Sequence, residues 1–359
     1  MALRVRGVML PDDEVRELWL VGDRVSTEPV PGAETVLDGG FILPGLVDAH
    51  CHIGIAAGGA PITSLEQAKE LAAMDRDAGV LAIRDAGSPY PYPQLDDDPD
   101  VPRLARAGRH VAPIKRYLRD IGLEVAAGEV AAAVAAQAAA GNGWVKLVGD
   151  WIDRDAGDLA PAWDADTLAG AVRAAHEAGV RMTTHTFAEE AVAVLVRAGI
   201  DCVEHGTGLS VDVIDEMARR GTALVPTMTN VATFTGIAAK AQEKFPTYAA
   251  HMRALQERFP AVVRAAVEAG VPVYVGTDAG GGITHGLAAE EMLRLHEQAG
   301  MAALDVLAAG SWGARRWLGF PGLEPGGLAD LVGYDRDPRA DLGVLREPSR
   351  IILRGRVIR

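Results

Sequence analysis

An apolar run that ends in two histidines lies near the start of the chain: Phe41-Ile-Leu-Pro-Gly-Leu-Val-Asp-Ala-His50-Cys51-His52. In a β-strand, residues two apart share a face, so the imidazoles of His50 and His52 would point one way and Cys51 the other. Two convergent neutral imidazoles form half of a site for a borderline metal such as zinc. The pair is a weak signal alone, so the remaining ligands must come from elsewhere in the chain.

One pattern recurs along the chain, in which a helical segment ends in glycine and an apolar run follows. Glycine is the usual residue after a helix, and about four to eight apolar residues are typical of a buried strand. Strands are predicted at residues 45–50, 80–85, 109–114, 144–148, 180–185, 201–205, 222–227 and 271–278. Helices alternating with buried strands in this number favour an α/β fold, a closed (β/α)8 TIM-like barrel, over an open doubly wound sheet.

The two ends of the chain differ from this pattern. Short strand-like pieces lie at residues 3–10 and 18–25, and again at 331–334 and 350–359. Chain termini often lie close together, so both ends are expected in one domain. The predicted division is a small β-sandwich domain, residues 1–43 plus 322–359, beside a barrel domain, residues 44–321.

Composition and charge narrow the function classes. The 359 residues carry a formal net charge of −14, which argues against nucleic acid or an anionic membrane as a partner. The 2 cysteines suit a reducing compartment, and neither an apolar leader nor a long apolar run is present in the sequence. We expect a cytoplasmic protein that acts on a small molecule, with homo-oligomerisation left open.

Polar residues fall where several predicted strands end, which in a barrel is the rim that carries the chemistry. His185 and His205 each stand six residues after the glycine that ends the preceding helix, and Asp278 ends the last strand. Lys146 lies inside the fourth strand, where burial lowers its pKa and favours the neutral amine. A neutral amine can take up carbon dioxide to form a carbamate that bridges two metals. The sequence thus predicts a metal centre built from His50, His52, Lys146, His185, His205 and Asp278.

These residues carry a resemblance that covers almost the whole chain. It resembles the metal-dependent amidohydrolase superfamily, specifically its binuclear members with a carboxylated lysine, and looks most like the prolidase-like and imidazolonepropionase-like hydrolases. The motifs that carry it are Leu43-Pro-Gly-Leu-Val-Asp-Ala-His-Cys-His52, Trp144-Val-Lys146, Thr184-His185, Glu204-His205-Gly206, Pro226-Thr227, Gly276-Thr-Asp278-Ala-Gly280, Gly326-Gly-Leu-Ala-Asp330 and Asp337-Pro338.

The resemblance implies a role for each ligand. His50, His52 and Asp278 would hold the more buried of two divalent metals, with Zn²⁺ the first choice. His185 and His205 would hold the more exposed metal, and carboxylated Lys146 would bridge the two. A hydroxide between the metals would attack the substrate carbonyl, with Asp278 as general base and then general acid. The implied reaction is hydrolysis of a C–N bond in an N-acyl amino acid, a dipeptide or a cyclic amide.

Other functions stay open at this stage. A mononuclear deaminase of the same superfamily would want a glutamate near His185, for which Glu189 is a loose match, and would have no use for Lys146. A lactonase or phosphotriesterase would use the same metal pair on esters. A non-catalytic barrel is the alternative outside enzymes, and such relatives usually lack metal ligands.

Substrate contacts are expected from rim loops. Many prolidase-like relatives carry Gly-Gly-His after the third strand, whereas this chain has Lys115-Arg116-Tyr117. A guanidinium beside a phenol would suit a substrate carboxylate, and a loop anchor is the equal alternative for Arg116. The further candidates are Trp151, Arg154 and His285.

Several other residues are expected to have structural roles. We predict that Arg84 forms a salt bridge inside the barrel and that His251 is a helix-surface residue. We also expect Cys51 and Cys202 to pack between strands and helices.

Overall fold

The computed structural model describes residues 2–359. The strands, numbered in chain order, are β1 (Leu3–Met9), β2 (Glu14–Val21), β3 (Arg24–Ser26), β4 (Glu34–Pro44), β5 (Leu46–Cys51), β6 (Val80–Asp85), β7 (Arg103–Arg106), β8 (Val111–Pro113), β9 (Leu123–Val125), β10 (Trp144–Val148), β11 (Asp150–Asp153), β12 (Asp158–Pro161), β13 (Arg181–Thr186), β14 (Cys202–His205), β15 (Ala223–Val225), β16 (Leu331–Tyr334), β17 (Arg350–Leu353) and β18 (Arg356–Val357).

Helices alternate with these strands over the middle of the chain. None of the helices within residues 2–359 combines the length and the apolarity that crossing a bilayer demands. The helices are α1 (Leu65–Asp77), α2 (Val130–Ala140), α3 (Ala165–Glu177), α4 (Glu189–Ala198), α5 (Val211–Arg220), α6 (Met228–Val231), α7 (Phe234–Ala241), α8 (Pro246–Glu268), α9 (Ala288–Glu297), α10 (Ala303–Gly310) and α11 (Trp312–Leu318).

Parallel strands form the wall of a TIM-like barrel, as predicted. One sheet has the order β15-β14-β13-β10-β8-β9 and a second the order β5-β6-β7. The segment 271–278 lies between β15 and β5, because Leu224 bridges to Val273 and the Ala49 amide donates to the Val275 carbonyl at 2.7 Å. This segment closes the wall and brings Asp278 beside the end of β5.

Two predicted barrel strands are less regular than expected. The third, predicted at 109–114, contains only β8, which pairs with β10. The pairing with β6 is made by β7, which ends before the predicted segment, and the chain breaks between β7 and β8. Gly108 in the break has φ +69°, which an extended strand does not accommodate. The eighth, at 271–278, makes isolated bridges rather than a ladder. Pro272 there has no amide hydrogen to donate, and Asp278 has φ +59°.

Small side chains and one tryptophan fill the lower barrel. Val47, Ala82, Trp144 and Ala223 belong to one buried cluster there, and Cys202 lies among them. The Cys202 sulfur is 3.8 Å from Arg84 Nη2, so the expectation that Cys202 packs between strands and helices is wrong. Strand alternation places Cys202 on the face opposite His205, but the positive φ of 63° at His205 breaks that alternation.

The strands from the two ends of the chain form one sheet, as predicted. Its order is β18-β17-β16-β4-β1-β2-β3, with β4 paired antiparallel to β16 through Pro44 and Leu331. β4 leads through Gly45 directly into β5, so one stretch of chain joins this sheet to the barrel. The division of the chain into two domains at residues 43 and 322 stays a prediction.

A buried carboxylate ties the terminal sheet to the barrel. Asp330 is fully buried and accepts hydrogen bonds from Arg315 Nη2 on α11 and Arg103 Nε on β7, both at 3.0 Å. It also accepts from the Arg354 amide at 2.8 Å. Removing one member of such a group leaves the others buried without a counter-charge.

We predict that Asp330→Ala lowers the free energy of unfolding by about 3–5 kcal/mol, because Arg315 stays buried and unpaired. Urea denaturation followed by circular dichroism measures this. The matched control is Asp38→Ala, which removes an exposed carboxylate paired with Arg6 in the same sheet and should cost at most about 1 kcal/mol. Equal stability of the two variants would contradict the assignment.

Candidate metal centre

Three of the predicted ligands meet at the end of β5. The Nε2 atoms of His50 and His52 are 3.3 Å apart. Asp278 Oδ1 lies 3.2 Å from His50 Nε2 and 3.1 Å from His52 Nε2. The ligand atoms of these three residues all lie within 4.8 Å of one another, which is the spacing of groups that can share one cation.

The other two histidines form a second group next to the first. His205 Nε2 lies 3.0 Å from His185 Nδ1, at the ends of β14 and β13. The His50 and His205 rings have centroids 5.2 Å apart, so the two groups are contiguous. Burial lowers the pKa of His205 to about 3 and that of His185 well below its usual range. Both imidazoles are therefore neutral at physiological pH, the form that binds metal.

Lys146 lies between strands that carry these groups, on β10 beside β13. Its side chain is fully buried, and within residues 2–359 its Nζ atom has no hydrogen-bond partner. Burial lowers its pKa, and the positive charge of Arg84 acts in the same direction against the attraction of Glu204 and Asp278. A buried amine without partners is expensive unless it is neutral or modified.

Beneath these ligands lies a buried ion pair. Glu204 Oε1 accepts from Arg84 Nη2 at 2.6 Å, which fulfils the expected salt bridge of Arg84 inside the barrel. The other oxygen of Glu204 is 2.6 Å from His50 Nδ1, and Thr183 donates to the same carboxylate. Burial opposes ionisation of Glu204, but Arg84 and His50 hold its pKa well below the usual range. In the sequence, Glu204 stands out only as part of a motif, with no predicted role.

Hydrogen bonds fix the outer nitrogens of two more histidines. His52 Nδ1 lies 2.9 Å from the Gly87 carbonyl oxygen, and His205 Nδ1 lies 2.7 Å from Thr227 Oγ1. Partners of this kind set the tautomer, so that Nε2 is free to bind a metal. Thr227 and Asp278 have φ of +48° and +59°, uncommon values for residues with side chains that concentrate at functional sites.

Of the residues predicted to contact substrate, the structure places some beside the predicted ligands and others elsewhere. Tyr117 and Trp151 lie beside His185, with ring centroids 6.1 and 5.2 Å from its ring. Arg116 reaches the same rim, but its guanidinium donates to the carbonyls of Trp151, Ala160 and Pro161. This is the loop-anchoring arrangement that the sequence left as the alternative.

The remaining two candidates are not brought to the centre. Arg154 is exposed in the turn between β11 and β12. His285 lies behind β5, where its Nδ1 is 2.7 Å from Asp75 on α1. The Cys51 sulfur is 4.0 Å from the same carboxylate, so Cys51 packs between strand and helix as expected. Burial alone would lower the pKa of His285, but Asp75 raises it.

Two residues near the ligands carried no signal in the sequence. His110 is fully buried, and its ring lies 5.1 Å from that of His52. Asn230 Nδ2 donates to Asp278 Oδ2 at 2.5 Å. Asn230 belongs to α6, whose first amides are held by the buried Glu291. Neither position has a spacing or a neighbouring motif that points to the centre.

His251 is an exception to the predicted surface role. It lies on α8 between two carboxylates, with Nδ1 2.9 Å from Asp158 and Nε2 3.0 Å from Glu189. Burial lowers its pKa, but the two carboxylates outweigh this and raise the pKa above its usual value. Arg258 also pairs with Glu189. His251 thus links α8 to the β11–β12 hairpin and to the start of α4.

We predict that His251→Gln loses stability relative to the wild type mainly at low pH. Because the folded-state pKa is raised, the contribution of His251 is complete below its unfolded pKa of about 6.5 and disappears as pH rises through the folded value. Partial exposure limits it to about 1 kcal/mol or less. Urea titrations between about pH 5 and pH 9 measure it, with His296→Gln as the control. A difference that grows with pH would contradict this sign.

Comparison with known proteins agrees with this geometry. A model described as "Amidohydrolase family" matches residues 41–358. An uncharacterized protein of Mycobacterium tuberculosis is 54% identical over 355 residues, which cover 99% of this chain and 95% of that protein. A solved Xaa-Pro dipeptidase with bound methionine has a TM-score of 0.82 at 22% identity over 99% of both chains. Aspergillus niger ochratoxinase has a TM-score of 0.82 at 17% identity, over 100% of this chain and 95% of that one.

The likeness to the two solved structures shows the fold alone, because their sequence identities to this chain are low. The family match covers the barrel, all of the predicted ligands and the three strands from the C-terminal end. Metal binding by the six predicted ligands stays a prediction. The chain therefore belongs to the amidohydrolase family and is a hydrolase that acts on carbon–nitrogen bonds.

Proposed function

We propose that this protein hydrolyses the amide or peptide bond of a small molecule at a centre of two divalent metals, most simply Zn²⁺, bridged by a carbamate on Lys146. The substrate class is an N-acyl amino acid, a dipeptide or a cyclic amide. The observation that carries the proposal is the Lys146 amine, which is buried without a partner among residues 2–359. Its charge neighbours are Glu204, Asp278 and Arg84.

The residues present fit such a centre. His50, His52 and Asp278 would hold one metal, since their ligand atoms already lie within 4.8 Å of one another. His185 and His205 would hold the other, since His185 Nδ1 and His205 Nε2 lie 3.0 Å apart. Bound cations would supply Lewis-acid polarisation of the carbonyl and a lower pKa for water.

Asp278 is the proposed proton carrier. His50 and the adjacent His52 hold its pKa well below the usual range despite burial, so the carboxylate is ionised and able to accept a proton. In the reaction the oxygen of water bonds to the carbonyl carbon, and a proton of that water passes to Asp278. As the C–N bond breaks, Asp278 gives the proton to the leaving nitrogen. Asn230 keeps the carboxylate in place through Oδ2.

The deaminase alternative is less well supported. It would need a free glutamate near His185, but the Glu189 carboxylate is engaged by His251 and Arg258. It would also leave Lys146 without a use. A solved relative of the same fold is a Xaa-Pro dipeptidase, which is in keeping with a peptide or N-acyl amino acid as substrate. The two free cysteines support the proposed cytoplasmic location.

We predict that Lys146→Ala retains at most one metal per chain and loses turnover, because the bridging ligand is gone. Metal content by mass spectrometry after dialysis, with two metals expected in the wild type, measures this. Lys240→Ala, which changes an exposed lysine on α7, should keep both metals. One metal in an active, fully loaded wild type would overturn the binuclear proposal.

We predict that Glu204→Gln weakens metal binding by roughly 10- to 100-fold, because His50 loses the carboxylate that orients its ring. Competition with a chromophoric chelator gives the affinity, and circular dichroism verifies that the variant is folded. The control is Glu216→Gln on α5, a partly exposed carboxylate that pairs with Arg219 and Arg220. Wild-type affinity in folded Glu204→Gln would show that the contact to His50 does not influence the metal.

A further inference from the structure

Tyr117 and Trp151 form an aromatic corner beside His185. Their rings meet edge to face with centroids 4.8 Å apart. Phe187 covers another side of the His185 ring at 4.4 Å. Unlike Phe187, both Tyr117 and Trp151 are partly exposed, so the corner offers apolar surface next to the predicted ligands.

The Tyr117 hydroxyl is the polar end of this corner. The Tyr117 ring packs against the rings of His110, Trp151 and His185, and within residues 2–359 its hydroxyl forms no hydrogen bond. A tyrosine phenol, with an ordinary pKa of about 10, carries its proton at neutral pH. A protonated phenol without a partner is a donor available to a ligand.

Arg116 does not join Tyr117 in a receptor for a carboxylate. Its Nη atoms donate to the carbonyls of Pro161 at 3.1 Å, Trp151 at 3.1 Å and Ala160 at 3.0 Å. These bonds tie the loop after β8 to the β11–β12 hairpin and hold Trp151 against Tyr117. The guanidinium positions the aromatic corner, and the recognition surface that remains is a phenol beside an indole.

His110 packs against the Tyr117 ring. The two ring centroids are 5.4 Å apart, and His110 is fully buried. Its ring fills the space that a side chain at Gly87 would occupy, since a Cβ there would come within 2.8 Å of it. The orientation of Tyr117 is therefore fixed by packing before any ligand arrives, which lowers the entropy cost of using it.

We propose that Tyr117 donates a hydrogen bond to the carbonyl oxygen of the scissile amide and that Trp151 binds an aromatic or broad apolar group next to that bond. This rests on the proposed amide hydrolysis and narrows its substrate class. A fixed donor stabilises the negative charge that develops on the oxygen as water attacks. Tyr117 forms no covalent bond and keeps its proton throughout.

Turnover tests the two roles separately. N-acetylphenylalanine and N-benzoylglycine are compared with N-acetylglycine, using the metal-loaded full-length protein. We expect Tyr117→Phe to lower kcat by roughly 100- to 1000-fold with little change in KM. Trp151→Ala should reduce the preference for the aromatic substrates by roughly 10-fold, mainly through KM. Tyr90→Phe, at a partly exposed tyrosine outside the corner, should match the wild type.

Binding separates this inference from the proposed function. The methylphosphonyl analogues of phenylalanine and glycine carry a tetrahedral phosphonyl group in place of the acetyl carbonyl, and calorimetry gives their affinities. We expect tighter binding of the phenylalanine analogue, lost in Trp151→Ala, and weaker binding of both analogues to Tyr117→Phe. If the analogues bind in this way but no amide is turned over, the proposed amide hydrolysis is refuted, and the binding roles of Tyr117 and Trp151 are retained. Wild-type binding and turnover in Tyr117→Phe, or no binding to the wild type, would overturn the inference.

Discussion

The buried contact of Glu204 with Arg84 and His50 governs the arrangement above it. Arg84 is a permanent cation enclosed in the barrel, and Glu204 is the counter-charge that its burial demands. The same carboxylate engages His50 Nδ1, which turns Nε2 toward His52 and Asp278. The charge of Arg84 also disfavours a proton on Lys146. One buried ion pair thus orients His50 and disfavours a proton on Lys146, as the proposed metal centre would require.

The side chains of β5 alternate between two sides of the strand. His50 and His52 face the centre, and Cys51 faces α1 and the Asp75–His285 pair. His285 follows Asp278 along the chain after a glycine-rich loop, and Asp75 also accepts from the Gly286 amide at 2.7 Å. The loop that leaves Asp278 is therefore anchored to the far side of the strand that carries the two histidines. α1 is therefore attached to the end of this loop at His285 and Gly286.

The sequence predicted what strand geometry dictates and missed what depends on distant contacts. The end of each parallel strand meets the same rim, so His185, His205 and Asp278 could be placed from their spacing to the preceding glycine. Glu204, His110 and Asn230 carry no such spacing, because their importance comes from partners on other strands. Arg116 could be placed at the rim, but which carbonyls its guanidinium reaches depends on how the β11–β12 hairpin folds over it. Alternation failed for Cys202 because of the left-handed backbone at His205.

The pairing of β4 with β16 has a consequence for how the chain acquires its structure. β4 contributes Phe41, Ile42 and Leu43 to a ladder whose other half is synthesised only after the whole barrel sequence. Until then one edge of the longest strand in the sheet is open, and open apolar edges are templates for pairing with other chains. Contacts so distant in sequence also form slowly. The nascent protein thus has a period of vulnerability to aggregation, which ends when β16 docks and Asp330 meets Arg315.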